Sequence, residues 1–388
     1  MKNDFLTSFF DEINKNIFEN LESNSLSLYT GLSGQILFYS IYLKKNRLEA
    51  NLLNFRKMIE KLFFALNNQQ YNLFFCDGLV GVTFLIRHLE EEGLLEDYDY
   101  SDFLKEVDSL FLSNLKKEAV DLNKIDFLHG NLGIANYFLE FNLTQNISED
   151  YNVYFETTTL IIENHLSRIQ LNENNVELIN FGLSHGLSSY LVYFTKLFKL
   201  TNENRYKQNI LNIIEVYKYF FNTNKQSCFP SQGFSRGNSN YEVSLGWCYG
   251  DQTISYCIYK AGEVLGLKKI VDFSIEIVQH WSKKNSIELA ITNPFYDNMF
   301  CHGLSGVAYL NKKWYQILKK ESLINNYTLF MEEIVKSEKL FHKYDNMSSG
   351  YKENFCLLDG SCGLGMVIID SLEDANLENN WDRFFLLN

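Results

Sequence analysis

Thr30-Gly31-Leu32-Ser33-Gly34 is a five-residue stretch whose frame recurs along this 388-residue chain. It returns as Asp77-Gly78-Leu79-Val80-Gly81, His129-Gly130-Asn131-Leu132-Gly133 and His185-Gly186-Leu187-Ser188-Ser189. Three more copies follow, Tyr249-Gly250-Asp251-Gln252-Thr253, His302-Gly303-Leu304-Ser305-Gly306 and Asp359-Gly360-Ser361-Cys362-Gly363. The first glycines stand 47 to 64 residues apart, which makes seven repeats. Apolar residues at helical spacing follow each motif, as in Ile36-Leu37-Phe38-Tyr39, Val82-Thr83-Phe84-Leu85 and Val307-Ala308-Tyr309-Leu310. Each motif is therefore expected to turn the chain and open a helix.

The first glycine is expected to supply a turn with positive φ. The second, one helical turn later on the same face, is expected to let another backbone approach closely. An interval of about 50 residues holds two helices of about 12–18 residues with their loops, so seven repeats predict about 14 helices. An open solenoid needs polar caps at its ends. Here the first and last repeats carry the motif as well as the middle ones, which predicts closure into a ring. The longest interval contains a stretch rich in Ser, Asn and Gly at about 222–245, including Pro230, expected as an inserted loop or short hairpin.

Composition agrees with a helical array. Single cores usually stop growing at about 250–300 residues, so a chain of this length is either several domains or one repeat array. Average usage of about 5% would place roughly 19 prolines in the chain; only Pro230 and Pro294 occur. Hydrophobic residues at 46% exclude a disordered chain. A net charge of −13 argues against nucleic acid as a partner and against adsorption to anionic membranes. Met1 to Glu22 has neither a basic leader nor an unbroken apolar run, so no secretory signal is expected. Residues 23–43 carry no charge but include polar residues and two glycines, which fits a buried helix entry better than a membrane span. The seven cysteines are then expected as thiols of a reducing cytoplasm or as metal ligands, with no disulfide framework.

The residues just before the glycine turns are the candidates for chemistry. They are Asp77, His129, His185, Cys248-Tyr249, Cys301-His302 and Asp359. In a closed ring they would face one cavity. Cys248, Cys301 and His302 form a Cys2His set from neighbouring turns, the ligand types zinc prefers, and three protein ligands leave one position open as in catalytic sites. Cys76, Cys228, Cys257, Cys356 and Cys362 lack such a histidine neighbour and read as packing residues.

Gly182-Leu183-Ser184-His185-Gly186, Trp247-Cys248-Tyr249-Gly250 and Cys301-His302-Gly303, in order on a sevenfold repeat, resemble the motifs of the lanthionine synthetase C (LanC) family. The likeness runs from Gly31 to Trp381-Asp382-Arg383-Phe384, which is similar to the family's C-terminal signature. The resemblance implies an all-α fold, an α/α toroid of inner and outer helical rings, with 1–388 as a single domain. It also implies a zinc-dependent cyclase that adds cysteine thiols of a dehydrated precursor peptide to dehydroalanine or dehydrobutyrine, forming thioethers. One zinc ion on Cys248, Cys301 and His302 would ionise the attacking thiol. A thiol of ordinary pKa is only about 3% ionised at pH 7, so full ionisation gains roughly 30-fold, about 2 kcal/mol. Holding thiolate and alkene in register can contribute about 7–11 kcal/mol.

By the same resemblance His185 is the general acid, Asp126 keeps it protonated or oriented, Tyr249 hydrogen-bonds the reacting groups, and Trp247 packs. A helix N-cap is the competing role for Asp126. The implied partners are the precursor peptide, leader plus dehydrated core, a separate dehydratase and an export transporter. The implied location is the cytoplasm, peripheral to a membrane-associated synthetase complex. Two departures from the family pattern stand out. Ser244 replaces an arginine four residues before the first zinc cysteine, a place Arg236 could fill by folding back. Ser189 and Thr253 replace the second glycine, which is expected to loosen those helices and reshape the cavity beside the metal. Two other readings use the same residues: a zinc protein that binds a thiol such as glutathione or scaffolds a complex, and a carbohydrate enzyme using Asp77 and Asp359 as paired carboxylates.

Overall fold

The computed structural model describes residues 3–21, 25–67, 71–117, 125–141, 149–169, 171, 177–234, 239, 241, 245–283, 298–337, 340–345, 350–372 and 380–388. Seven helices start directly after the first glycines: α2 (Leu32–Lys45), α4 (Leu79–Glu91), α6 (Asn131–Glu140), α8 (Leu187–Thr201), α10 (Asp251–Leu265), α12 (Leu304–Leu318) and α14 (Ser361–Ser371). These are apolar nearly all round and buried accordingly; Leu32–Leu43 of α2 and Ser361–Ile369 of α14 are buried without a break. Between them run α1 (Asn3–Glu19), α3 (Glu49–Leu66), α5 (Ser101–Lys117), α7 (Glu149–Arg168), α9 (Asn204–Phe220), α11 (Lys268–Trp281) and α13 (Glu321–Lys336). Their burial is one-sided. In α11 it falls on Ile270, Phe273, Ser274, Ile277, Val278 and Trp281, the stripe of an amphipathic helix with one face in water.

The fully buried helices pack in sequence, α2 on α4, α6, α8, α10, α12 and α14 in turn, and α14 packs back on α2. The ring therefore closes, as an all-α double ring with the amphipathic helices outside. The outer helices α3, α7, α9, α11 and α13 pack on α2, α6, α8, α10 and α12, and α1 packs on α14. Arg87 of α4 reaches Asp108 of α5 at 2.6 Å. Two antiparallel strand pairs add to the helices: β1 (Ile179–Asn180) with β2 (Gln232–Gly233), and β3 (His342–Asp345) with β4 (Gly350–Glu353). In the inserted stretch, β2 thus pairs with the segment that leads into the fourth turn.

The first glycines do not have positive φ, contrary to the expectation; as helix N-caps their φ values lie between −157° and −72°. Crowding explains them. A Cβ on Gly31, Gly186 or Gly360 would overlap backbone atoms of Ser25, Asn180 or Cys356, earlier in the same turn. The second glycines do admit a close backbone, the carbonyl three residues before the first glycine. Gly34, Gly81, Gly306 and Gly363 lie against the oxygens of Leu28, Phe75, Phe300 and Leu357. The expected loosening at Ser189 and Thr253 is absent: both are buried, Ser189 Oγ bonds Gly186 O at 2.7 Å, and α8 packs on α10.

A backbone ladder joins the first, second, third, fifth, sixth and seventh turns at the second residue before the first glycine. Tyr29 N donates to Cys76 O, Cys76 N to Leu128 O, Cys248 N to Cys301 O, Cys301 N to Leu358 O, and Leu358 N to Tyr29 O, at 3.0–3.4 Å. Leu183 N to Cys248 O, at 2.9 Å, joins the fourth and fifth turns. The C-terminal segment plugs the middle, where a 3₁₀ helix at Asn380–Phe385 and the following Leu386 and Leu387 bury five apolar side chains. Tyr29 OH, Trp247 Nε1 and Tyr256 OH donate to the carbonyls of Phe384, Phe385 and Leu387 at 2.6–2.9 Å. Charge pins the plug as well: Arg383 bonds Glu91, and Asp382 accepts from Lys313 and Tyr309.

Candidate active site

The second residue before each first glycine turns inward, in six of the seven turns as a rung of the ladder, and the next residue opens outward. The buried places hold Tyr29, Cys76, Leu128, Ser184, Cys248, Cys301 and, half-buried, Leu358; the open ones hold Thr30, Asp77, His129, His185, Tyr249, His302 and Asp359. The register puts Cys248 and Cys301 on adjacent rungs and His302 beside them at the rim. Their two Sγ atoms and one imidazole nitrogen lie within 4.8 Å of one another, with both thiols buried and His302 exposed. Two thiols and an imidazole converging in this way suit a tetrahedral zinc with its fourth position open. Gly246 and Gly182 make the approach possible: a Cβ there would lie 2.8 Å from Cys301 O and 2.6 Å from Cys248 O. Neither belongs to the repeated pair, so the periodicity does not single them out.

Around this set, hydrogen bonds stabilise charge. The bond with Cys301 holds the Cys248 thiol below its ordinary range, opposed by burial and reinforced by the Ser184 hydroxyl and the positive charge of His185. Ser184 Oγ is 2.6 Å from Cys248 Sγ, with both side chains buried.

A second group follows immediately in sequence. Asp126 Oδ2 lies 2.5 Å from His185 Nδ1, while Asp126 Oδ1 accepts the His129 N–H at 2.7 Å. This side chain does not cap α6, whose N-cap is Gly130; it ties the third turn to the fourth. Burial works against a charged His185, but the hydrogen bond and charge of Asp126 outweigh it, so the imidazole pKa is raised. Burial also opposes the Asp126 carboxylate, and bonding to His185 outweighs it, so that pKa is lowered. His129 stacks on His185 with ring centroids 5.9 Å apart and planes 5° apart. Its place in the motif marks it as a rim residue; the stacking depends on the third and fourth turns lying side by side. Tyr249 closes the other flank, its half-buried ring 6.4 Å from that of His185. Trp247 is fully buried against Phe385.

Asp77 Oδ1 accepts from Cys76 Sγ at 3.3 Å on the rim of the second turn, and Asp359 lies on the seventh, with the first turn between them. The negative charge of Asp359 reaches the Cys248 thiol and opposes its ionisation. Ser244 and Arg236 lie outside the described residues. Among the described residues no helix is long and apolar enough to cross a membrane.

Comparison with known proteins gives a consistent result. The profile of the family described as "Lanthionine synthetase C-like protein" matches residues 22–386. Nisin biosynthesis protein NisC of Lactococcus lactis subsp. lactis is 24% identical over 390 residues, covering 90% of this chain and 88% of the relative. Lacticin 481/lactococcin biosynthesis protein LcnDR2 of the same organism is 20% identical over 370 residues, covering 94% of this chain and 31% of its own length. The solved structure of Nisin cyclase superposes with a TM-score of 0.74 at 19% identity, covering 100% of this chain and 98% of that one. At that identity the superposition speaks for the toroid fold.

Proposed function

The chain belongs to the lanthionine synthetase C-like family, and from that premise we propose that it is a zinc-dependent lanthipeptide cyclase. The observation that carries this reading is the adjacency of two groups on one short stretch of backbone: Ser184 touches the Cys2His set, and His185, next in sequence, holds the Asp126 pair. Cys248, Cys301 and His302 would hold one zinc, whose chemistry when bound is to ionise a substrate cysteine thiol in the open fourth position.

In the reaction, the sulfur of the peptide cysteine bonds to the β-carbon of dehydroalanine or dehydrobutyrine. The C=C π pair moves to the α-carbon side, and a proton is delivered to the α-carbon. The thiol loses one proton and the carbon gains one, so the addition needs no oxidant or co-substrate. His185 supplies the proton to carbon, since Asp126, bonded to its Nδ1, raises the imidazole pKa and so favours the protonated ring. Tyr249 flanks the same ring, from where it would hydrogen-bond the reacting groups. In this reading the ring, 1–388, works as one unit on a precursor peptide, leader plus core, dehydrated by a separate enzyme and handed on to an export transporter. The names NisC and LcnDR2, both lantibiotic biosynthesis proteins, support such a substrate. Buried thiols at all seven cysteines fit a cytoplasmic setting.

The test is incubation of the full chain with a dehydrated precursor, followed by thiol alkylation and mass spectrometry. Alkylatable thiols are expected to disappear at unchanged peptide mass; thiols that persist beside a zinc-loaded protein would overturn the cyclase. Cys301→Ala is expected to lose both metal and activity. Ser244 in place of the family's arginine favours one alternative, a zinc protein that binds a thiol or scaffolds a complex. Ser244→Arg decides: activity appearing only in that variant would establish the alternative.

A further inference from the structure

Ser184 stands at the buried place two residues before the first glycine of the fourth turn, where the fifth and sixth turns carry Cys248 and Cys301. Its side chain is fully buried, and its hydroxyl lies 2.6 Å from Cys248 Sγ. Backbone contacts hold this placement. Leu183 N donates to Cys248 O at 2.9 Å, and Gly182, whose Cβ would lie 2.6 Å from that same oxygen, lets the fourth turn press against the fifth. The hydroxyl therefore meets the sulfur through a backbone clamp only one residue away. A thiolate that ligates a metal keeps further lone pairs, and a buried sulfur anion is stabilised when a donor meets one of them.

We propose that Ser184 is a positioning residue of the metal site: its hydroxyl donates to Cys248 Sγ, aims that sulfur at the metal and draws charge from it. The proposal rests on the reading of Cys248, Cys301 and His302 as metal ligands, and it deepens that reading. It also assigns two tasks to one dipeptide, since Ser184 orients a ligand while His185 carries the proton. A change that shifts the fourth turn would then disturb both.

The test uses the full-length protein loaded with zinc or Co(II). Ser184→Ala is expected to weaken zinc binding about 10- to 100-fold in a chelator competition. It should also move the sulfur-to-cobalt charge-transfer band to lower energy, because a thiolate without its donor gives up an electron more readily. Ser184→Thr keeps the hydroxyl and should return the band towards its wild-type position. Ser184→Gly removes the donor without adding volume and should reproduce Ser184→Ala, which keeps the test decisive if one variant folds poorly. Wild-type affinity together with an unshifted band in a folded Ser184→Ala or Ser184→Gly protein would overturn the proposal. A wild-type chain that takes up neither metal would overturn the metal site itself, an outcome distinct from a failure of Ser184 alone.

Discussion

Asp126 and His185 illustrate how one contact sets both protonation and placement. Their hydrogen bond raises the imidazole pKa and lowers the carboxyl pKa, in each case against the effect of burial. Activity that needs a proton on His185 should therefore persist to higher pH than an ordinary imidazole would allow and fall as pH climbs past the raised value. Asp126→Asn removes the countercharge and leaves burial dominant. The alkaline limb of the kcat/KM profile should then move to lower pH, and an unmoved limb would refute this role. His185→Asn should lower kcat by about 10²–10⁴-fold, the usual contribution of a general acid, while zinc content stays unchanged. The linkage signs are opposite for the two partners. The stabilisation tied to His185 is fully present below its unfolded pKa and is lost as pH rises through the folded value. That tied to Asp126 is present above its unfolded pKa and is lost as pH falls through the folded value. The Asp126→Asn penalty in thermal unfolding should thus be greatest near neutral pH and shrink towards acid.

At the level of turns and helices, glycine has three separate uses. Gly81 and its counterparts lie against a carbonyl oxygen of their own turn, and Gly34, Gly81, Gly133 and Gly363 also have a side chain of the neighbouring turn beside them, Leu28 in the case of Gly81. Gly81→Ala should therefore destabilise by about 1–3 kcal/mol through overpacking, measured by denaturant unfolding. Gly266 instead ends α10 with φ +64° and nothing within 4 Å, so its alanine variant should lose only about 1 kcal/mol, from the left-handed backbone. Lys319 ends α12 in that same left-handed region, at φ 52°, and Lys319→Gly should stabilise by about 0.5–1 kcal/mol. The recurrence of the motif was enough to read seven turns, seven inner helices and the adjacency of Cys248 and Cys301. The letter Gly does not reveal which of its freedoms is in use, and for that reason positive φ was expected where crowding is the cause. Gly182 and Gly246 fall outside the repeated pair, since their reason lies in the neighbouring turn.

Closure and the plug belong to the molecule as a whole. Trp381-Asp382-Arg383-Phe384 stood out in the sequence by family resemblance; its physical purpose depends on partners far away in the chain, which periodicity cannot reveal. Phe385, just beyond it, lies 4.2 Å from Phe300 and 5.6 Å from Trp247, the residues immediately before Cys301 and Cys248. It also stacks on Tyr29, whose carbonyl receives the seventh turn and whose amide bonds the second. The plug thus forms the floor beneath Cys248 and Cys301 and braces the junction where the ring closes. Phe385→Ala should cost about 3–5 kcal/mol, the range for truncating a buried aromatic side chain. Because the lost contacts sit one residue from both cysteines, zinc affinity should fall with stability. In Phe64→Ala, an exposed aromatic on α3, both should stay near wild type. Denaturant unfolding of the apo proteins, read beside chelator competition, checks both parts. A Phe385→Ala protein that loses stability yet binds zinc as tightly as wild type would show that the floor and the ligand set are mechanically independent.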